Sequence, residues 1–228
     1  IKVFKKLKVG FFSTGDEIVK AGRKIKSGQV YDSNHFTIHS MLSRLNIECI
    51  DLAIIPDNKK IIKNNLQKLA KKVDVIITTG GVSVGEADYM KKVLKEIGEV
   101  LFWKLSIKPG RPMAYGKIKK TDFFGLPGNP VSAMVTFYQI VQNALKFKMG
   151  SKVDNPIPLL RVECVESIFK KPGRIEFQRG ILFESNGVWK VKTTGKQGSG
   201  ILSSMSKANC FIVISADKGK IKPGEIVN

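Results

Sequence analysis

The fold class is decided by residues 73–88, which read VDVIITTGGVSVGEAD. Residues 73–77 have the apolar, β-branched composition of a buried strand, and residues 79–88 form a loop that contains three glycines. The apolar residues that follow recur with the spacing of one helix face: Met90, Val93, Leu94 and Ile97. The stretch therefore predicts a strand, a loop and a helix in succession, the unit from which parallel sheets are built.

The same alternation continues along the first two thirds of the chain. The other predicted elements are strands at 7–12, 49–55, 100–103 and 112–117, and helices at 38–45, 62–69 and 130–149. Asn129 as N-cap and Pro130 at the first helical position mark the start of the last helix, and Asp32 or Ser33 caps the first. The alternation predicts an α/β domain at residues 1–150, a three-layer, mainly parallel sheet with helices on both faces.

The character of the chain changes after Gly150. Residues 153–158 have the composition of a linker, and short alternating apolar segments separated by Gly and Pro follow. These segments lie at 160–165, 175–177, 181–183, 188–191 and 210–214. Their spacing predicts a small all-β domain at residues 151–228, a barrel or a sandwich.

The composition excludes several classes of protein. Of the 228 residues, 43% are hydrophobic and 25% are charged, which excludes a disordered chain. No apolar run approaches the roughly 18 residues of a membrane span, and the first residues lack the apolar core of a signal peptide, so no membrane partner is expected. Three scattered cysteines argue against a disulfide framework, and a cytoplasmic setting is predicted.

The charge is strongly positive, with 39 Lys and Arg against 19 Asp and Glu and a net charge of +20. This balance predicts an attraction to anions without identifying them. A basic nucleic-acid-binding module is one interpretation, but the sequence has no recognisable nucleic-acid motif and few aromatic residues beside its lysines. No nucleic-acid partner is therefore expected.

Four loops fall at the carboxyl ends of predicted strands or open the long helix: 13–17, 56–57, 79–88 and 125–130. Each could be an ordinary turn, but several contain glycines, which let a backbone approach a ligand closely at the edge where parallel sheets bind ligands. Residues 80–85 have the glycine spacing of a P-loop, but Glu86 and Ala87 stand where that motif needs Lys and Ser or Thr. The sequence also contains no GxGxxG, so a Rossmann dinucleotide site is disfavoured.

Two aspartates, Asp57 and Asp88, each precede a predicted helix, which leaves two interpretations open. Aspartate is common at helix N-caps, and two carboxylates at one rim could also hold Mg²⁺ bound to a phosphate. Glu17 could join them or could be a solvated loop acid.

Residues 103–112, WKLSIKPGRP, form the most unusual segment. Its prolines and glycine stiffen the backbone, so that Lys104, Lys108 and Arg111 present cations from fixed positions. Such an arrangement suits a tetrahedral oxyanion, and the alternative is an exposed basic turn. His35 and His39 lie four residues apart, but no third ligand and no HExxH motif accompanies them, so surface or packing roles are expected.

Taken together, these segments resemble the molybdopterin molybdenumtransferase family, the molybdenum-insertion enzymes of cofactor synthesis, which include the C-terminal domain of gephyrin. The matching stretches are 13–17 (STGDE), 28–34 (GQVYDSN), 79–89 (TGGVSVGEADY), 108–112 (KPGRP), 125–132 (GLPGNPVS), 172–180 (PGRIEFQRG) and 193–199 (TTGKQGS). They occur in the family's order and run nearly the length of the chain, so the resemblance is specific.

The resemblance implies a molybdopterin-binding domain at residues 1–150, followed by the family's C-terminal β-barrel domain at 151–228. Family members carry two further domains before this point, so the chain is expected to be the C-terminal half of a longer enzyme. Their active site lies at the cleft of a homodimer. This half alone is therefore expected to lack part of the site.

The activity implied by the resemblance is the insertion of molybdate into adenylylated molybdopterin, with release of AMP and assistance from Mg²⁺. Asp57 and Asp88 match the carboxylates that hold the cation, and the further catalytic positions are Glu17, Lys104 and Lys108. The substrate-binding residues implied are Thr14, Gly15, Gly80, Gly81, Ser83, Arg111, Pro112, Gly128, Asn129, Ser132 and Arg174. Arg111 stands where many members have Lys, which keeps the charge but changes its geometry.

A second enzymatic interpretation is the preceding step, the adenylylation of molybdopterin by ATP. The related adenylyltransferases share the α/β domain and the GGVS stretch. They lack the KPGRP segment at this place and the C-terminal barrel, which disfavours this interpretation. An adenylyltransferase of the same pathway is instead a candidate partner.

Overall fold

The computed structural model describes residues 1–82, 89–152 and 159–228. The strands before residue 130 are β1 (Lys8–Thr14), β2 (Ile18–Val19), β3 (Val30–Tyr31), β4 (Glu48–Ile55), β5 (Val75–Thr79), β6 (Glu99–Phe102), β7 (Ile107–Lys108), β8 (Ala114–Ile118) and β9 (Thr121–Leu126). The helices of the first 150 residues are α1 (Ser33–Arg44), α2 (Lys59–Leu69), α3 (Tyr89–Ile97), α4 (Pro130–Thr136) and α5 (Gln142–Lys148), with the π-helical turn Phe137–Val141 between the last two.

The first sheet has the strand order β4-β1-β5-β9-β8-β6. Strands β4, β1, β5 and β9 pair in parallel, and β8 and β6 continue the sheet in antiparallel pairing. Since successive side chains of a strand point to opposite faces, Phe11 and Phe12 enter different cores. Phe11 packs with the helices α1, α4 and α5, and Phe12 packs with α2 and α3. The predicted three-layer, mainly parallel α/β architecture is confirmed.

Two helix starts clarify the roles of residues named from the sequence. Asn58, not Asp57, caps α2, because the Asn58 side chain accepts hydrogen bonds from the backbone N–H groups of Lys60 and Ile61. Asp57 is therefore released from the capping role that the sequence left open. Asn129 does occupy the N-cap position of α4, but its side chain makes no capping hydrogen bond. It donates instead to Ser199 Oγ at 3.1 Å.

The remaining strands are β10 (Val162–Cys164), β11 (Ile168–Phe169), β12 (Ile175–Ser185), β13 (Val188–Thr193), β14 (Cys210–Ile214), β15 (Lys220–Ile221) and β16 (Ile226–Val227). Strands β11 and β15 pair only with each other, and the other five form the second sheet. A short helix, α6 (Ser203–Lys207), interrupts the all-β pattern. The two strands predicted at 175–177 and 181–183 are a single strand, β12, so that prediction was wrong. The strand continues through Gly180, where side chains of the neighbouring strand occupy the space of a side chain. A Cβ at this position would lie 2.8 Å from both Cys210 Sγ and Ile212 Cγ1.

The second sheet forms a half-barrel in the order β14-β12-β13-β10-β16. Its two edge strands approach each other, since the Val213 N–H donates to the carbonyl oxygen of Asn228 at 2.7 Å. The interior is a separate apolar core that includes Cys164, Val191, Ile212 and Ile214. The predicted small β-barrel domain is confirmed in this form.

A short parallel strand pair joins the two halves of the molecule. Strand β7 leaves the first sheet and pairs with β12, so that Ile107 lies opposite Ile175 and Lys108 lies opposite Glu176. Beside this pair, Val131 and Val135 of α4 pack against Phe177 of β12. The basic segment 107–112 is thus held between the two halves.

Two further features bear on the predicted cellular setting. Among the described residues, no helix is long and apolar enough to cross a membrane. Cys49, Cys164 and Cys210 are free thiols, and burial raises the pKa of each above its ordinary value, that of Cys49 to about 11.

Candidate active site

A cavity of about 1060 Å³ opens beyond the carboxyl ends of the central strands of the first sheet. Thr14 and Thr79 end β1 and β5, and Pro127 follows β9, so these three strands form its floor. The second half of the molecule supplies the opposite wall, at and beside β12 and in the loop 197–200. The wall comprises Arg174, Glu176, Arg179, Gln197, Gly198, Ser199 and Gly200. The cavity therefore occupies the place where parallel sheets bind ligands, and residues of a second domain bound its other side.

Glycines bring the backbone close to the floor of the cavity. Gly80 has φ +80, and a Cβ there would lie 2.0 Å from the carbonyl oxygen of Thr14. Gly81 has φ +64, and its Cβ would lie 2.9 Å from the Thr14 side chain. Any other residue at these positions would displace the loop from the end of β1. The glycines thus hold the loop tightly against the end of β1 at the cavity floor.

Four cationic side chains line the cavity: Lys108, Arg111, Arg174 and Arg179. Lys108 ends β7 and Arg111 lies between β7 and β8, whereas Arg174 precedes β12 and Arg179 belongs to it. Gly110 allows this segment to pack closely, because it has φ +108 and its position faces the buried Thr136 of α4. Cations fixed on two sides of one cavity suit a multiply charged oxyanion.

Arg179 is the most deeply buried of these cations, with an exposure of 1%. Its Nε donates to Ser204 Oγ at 3.1 Å, and its terminal nitrogens donate at 3.4 Å to the carbonyl oxygens of Phe177 and Gly198. Burial lowers the pKa of its guanidinium, and Glu176 opposes that shift. Within the described part of the chain, no carboxylate forms an ion pair with Arg179. A buried cation without a paired carboxylate favours an anionic ligand in the cavity.

The loop 197–200 is fixed against both halves of the molecule. The Gln197 amide bonds to both backbone groups of Arg179, accepting from its N–H at 2.8 Å and donating to its carbonyl at 3.1 Å. The Ser199 carbonyl accepts from the N–H of Val131 at 3.2 Å, in the first turn of α4. The loop therefore places Ser199 beside Ser132 and Asn129 at the wall of the cavity.

Acidic groups gather beside the cavity at the first loop of the sheet. Burial raises the pKa of Asp57, and the nearby carboxylates Asp16 and Glu17 raise it further. Oδ1 of Asp57 is buried and has no hydrogen-bond partner. Glu17 itself lines the cavity. A carboxylate that is both crowded by like charges and unpartnered is in a setting that a divalent cation would stabilise.

The structure gathers most of the sequence-predicted site residues at this cavity. Those in its wall are Thr14, Glu17, Gly80, Gly81, Lys108, Arg111, Pro112, Gly128, Asn129, Ser132 and Arg174. Gly15, Asp57 and Lys104, which the structure does describe, are not part of the wall. Ser83 and Asp88 lie outside the described residues, so their placement stays a prediction.

Sequence reasoning missed several wall residues, chiefly Asp32, Asn34, Glu176, Arg179 and Ser199. The stretches that contain them had been noticed, since 28–34, 172–180 and 193–199 all carry the family resemblance. Within 172–180, however, the resemblance was carried over only to Arg174, and Arg179 was not singled out. A charged residue between the two apolar segments 175–177 and 181–183 was the available signal.

Comparison with known proteins agrees with this geometry. Residues 10–146 match the family described as probable molybdopterin binding domain. Residues 161–228 match the family described as MoeA C-terminal region, domain IV. The chain belongs to the family of probable molybdopterin binding domains.

Two relatives align with all or nearly all of this chain. The molybdopterin molybdenumtransferase of Haemophilus influenzae is 44% identical over 228 residues, which is 100% of this chain and 56% of the relative. Gephyrin of Dictyostelium discoideum is 33% identical over 254 residues, which cover 96% of this chain and 35% of the relative. The chain thus spans about half of the first relative's length and about a third of the second's.

A solved structure shows the same fold. The molybdopterin biosynthesis moea protein of Pyrococcus horikosii superposes with a TM-score of 0.81 and 31% identity, covering 97% of this chain and 53% of that chain. Part of the chain also resembles molybdenum cofactor biosynthesis protein B, with a TM-score of 0.52 and 16% identity over 65% of this chain, which shows a shared fold.

Proposed function

We propose that the chain carries the molybdate and pterin sites of a molybdopterin molybdenumtransferase, which inserts molybdate into adenylylated molybdopterin and releases AMP. The observation that carries this proposal is the cavity wall on which Lys108 and Arg111 face Arg174 and Arg179 from another domain. A dianion such as molybdate requires several fixed cations to leave water. The α/β domain alone would supply only half of them.

The residues of the cavity divide the work between the two substrates. The cationic wall holds the oxyanion, with the hydroxyl groups of Ser132 and Ser199 as additional donors. The glycine loops on the opposite side admit the phosphate or pterin of the second substrate, because Gly80 and Gly128 line the cavity without side chains of their own. The two substrates are therefore held side by side, and positioning of this kind is worth a large part of a barrier.

In the reaction proposed, the dithiolene sulfurs of molybdopterin replace two oxygen ligands of molybdate, which leave as water. A water molecule adds to one phosphorus of the phosphoanhydride, the bridging P–O bond breaks and AMP leaves. Both the entering molybdate and the leaving AMP are anions. The cations of the cavity wall therefore stabilise charge on both of them, and their fixed placement requires little rearrangement during the reaction.

The acidic cluster fits a magnesium ion. Mg²⁺ commonly takes one or two carboxylates together with substrate phosphates and water. Among the described residues no group of three or more His, Cys, Asp or Glu forms a complete metal site, so a site shared with substrate phosphate is the one proposed here. Asp57, whose Oδ1 is buried and unpartnered, would hold the ion with Asp88, and Glu17 and Asp16 would add negative charge. When bound, Mg²⁺ would neutralise charge on the phosphoanhydride.

The setting and partners belong to the same proposal. A cytoplasmic enzyme is consistent with three free thiols, and the natural protein is proposed to act as a homodimer. A protein that adenylylates molybdopterin is the proposed partner, since it would supply the substrate. The exposed lysines contribute long-range attraction for these anionic substrates, and nucleic acid is not proposed as a ligand.

The experiment that tests this function measures AMP release and molybdenum incorporation by the natural full-length protein with molybdate and adenylylated molybdopterin. Arg179→Met should lower both rates by about 100-fold, because a buried cation at the oxyanion is lost. Arg161→Met, at an exposed arginine outside the cavity, serves as the matched control and should leave them unchanged. A wild-type protein that turns over ATP with molybdopterin and ignores molybdate would show that it catalyses the preceding step.

A further inference from the structure

A buried carboxylate stands in the cationic wall of the cavity. Glu176 is 5% exposed and lines the cavity together with Lys108, Arg174 and Arg179. A negative charge at this place repels the oxyanion that the wall is proposed to bind, and its burial costs solvation free energy. The presence of the Glu176 carboxylate in an anion site therefore indicates that it has a separate role.

The contacts of Glu176 indicate that function. Its Oε1 accepts hydrogen bonds from Lys108 Nζ at 3.1 Å and from Gln178 Nε2 at 3.2 Å. Gln178 is 4% exposed and lies on the same face of β12, two residues further along. The carboxylate is thus fixed by a buried amide, whereas the Lys108 side chain is 48% exposed. Glu176 is the rigid partner of the pair and Lys108 is the mobile one.

The backbone fixes both ends of this ion pair. Lys108 and Glu176 are direct partners in the parallel pairing of β7 with β12. The neighbouring Ile175 N–H donates to the carbonyl oxygen of Ser106 at 3.0 Å, which sets the register. A lysine head on a flexible four-carbon stem has no preferred place of its own, so the distance between Nζ and the rest of the wall is set from the second domain.

We infer that Glu176 is a positioning residue, which holds the Lys108 ammonium group at the wall of the cavity so that it meets the oxyanion in one fixed place. This inference rests on the proposed function. The ammonium group has three N–H donors, of which Glu176 takes one. The other two remain for a ligand. The second domain acts on the reaction in this way through a residue that does not itself bind the anion.

Two variants of the natural full-length protein test the inference through AMP release at varied molybdate concentration. Glu176→Gln keeps the shape of the side chain and removes its charge. Glu176→Asp keeps the charge and withdraws it by one bond, about 1.5 Å. Both should lower kcat by about 10-fold or more, because the ammonium group is misplaced. In Glu176→Gln the KM for molybdate should not rise, since the cavity has gained net positive charge.

The matched control is Glu163→Gln. Glu163 pairs with Lys190 at 3.4 Å within the second half of the chain and does not line the cavity. It should leave kcat and KM unchanged. A kcat for Glu176→Gln within twofold of this control would overturn the inference.

A double variant separates positioning from a general loss of structure. If Glu176 acts through Lys108, adding Glu176→Gln to Lys108→Met should lower kcat no further than Lys108→Met alone. An equal further fall in that background would mean that Glu176 acts independently of Lys108. That result, whether it arises from unfolding or from another contact, would also overturn the inference.

A second readout does not depend on activity. A lysine-directed acylating reagent, with sites located by mass spectrometry, should modify Lys108 several-fold faster in Glu176→Gln than in the wild-type protein, and Lys190 faster only in Glu163→Gln. Unchanged reactivity of Lys108 would refute the positioning role. A wild-type protein without AMP release, but with this pattern of reactivity, would refute the proposed function and leave the role of Glu176 in place.

Discussion

Asp57 shows how a single residue can trade stability for binding. Burial and the neighbouring carboxylates Asp16 and Glu17 raise its pKa in the folded protein. The folded protein therefore holds this proton more tightly than the unfolded chain does. The favourable contribution is complete below the unfolded pKa of about 3.8, and it is lost as the pH rises through the folded pKa. At neutral pH an ionised Asp57 destabilises the fold until a cation binds.

Replacing Asp57 with Asn should therefore raise the melting temperature modestly at pH 7 and leave it almost unchanged near pH 3. The same variant should lose at least about 10-fold in Mg²⁺ affinity, so that added Mg²⁺ no longer raises its melting temperature. Thermal unfolding at several pH values, with and without Mg²⁺, measures both effects. Glu184→Gln, at an exposed carboxylate of β12, is the control and should behave as the wild type.

A melting temperature of Asp57→Asn that is lower than that of the wild type at pH 7 would contradict the assignment. So would an undiminished response to Mg²⁺.

Several residues singled out from local sequence patterns lie at the cavity. Lys108 and Arg111 lie in a segment stiffened by proline and glycine, and Gly80 and Gly81 lie between a strand and a helix, so their positions could be inferred from neighbours in sequence. Glu176 and Arg179 lie inside a strand, where alternation normally decides only which face is buried. Their burial depends on β7 and on loop 197–200, which are distant in sequence.

At the scale of elements, the segment after β7 depends on one glycine. Gly110 has φ +108, and a Cβ there would lie 2.5 Å from Cγ2 of Thr136, which is fully buried in α4. Gly187 also has a positive φ, +76, but a Cβ there would meet no atom within 4 Å. A larger residue would therefore strain the backbone at either position. Only at Gly110 would it also collide with a neighbouring helix.

Gly187→Ala should destabilise the protein by roughly 1 kcal/mol, the cost of the left-handed conformation. Gly110→Ala should lose about 1–3 kcal/mol more, because the extra methyl overpacks a buried contact. It should also lower AMP release more than 10-fold, since the same segment carries Lys108 and Arg111. Denaturant unfolding and activity assays of both variants make the comparison, and equal stability losses at the two positions would show that no collision occurs.

Helices and strands were predicted well where their apolar residues follow one clear spacing. They were predicted less well where contacts with a neighbouring element decide the structure. The parallel strands and the helices α1 and α2 follow clear apolar spacing, and they form within a few residues of the predicted bounds. Gly180 suggested a break in β12, but the strand continues because the side chains of β14 cross over that glycine. The pairing of β7 with β12 had no local signal, since each residue pair is separated by 68 positions in sequence.

The cavity belongs to the molecule as a whole, because its walls come from two sheets with separate cores. A sequence can indicate that loops 79–81 and 108–112 approach one edge of a sheet. It does not indicate how a following domain packs over that edge, since the packing depends on small contacts such as those of Val131 and Val135 with Phe177. Ligand binding should therefore link the two halves more strongly than their own interface does.

The two tryptophans allow this linkage to be measured, because Trp103 follows β6 of the first sheet and Trp189 lies in β13 of the second. In the 228-residue chain, Trp189→Phe leaves a reporter of the first domain, and Trp103→Phe leaves a reporter of the second. Saturating molybdate should raise both fluorescence melting transitions together, by about 2.7 kcal/mol of added stability at 100 times the dissociation constant. Added salt should reduce the shift at a fixed molybdate concentration, since the attraction is electrostatic. If molybdate raised the Trp103 transition and left that of Trp189 unchanged, the second domain would take no part in holding the oxyanion.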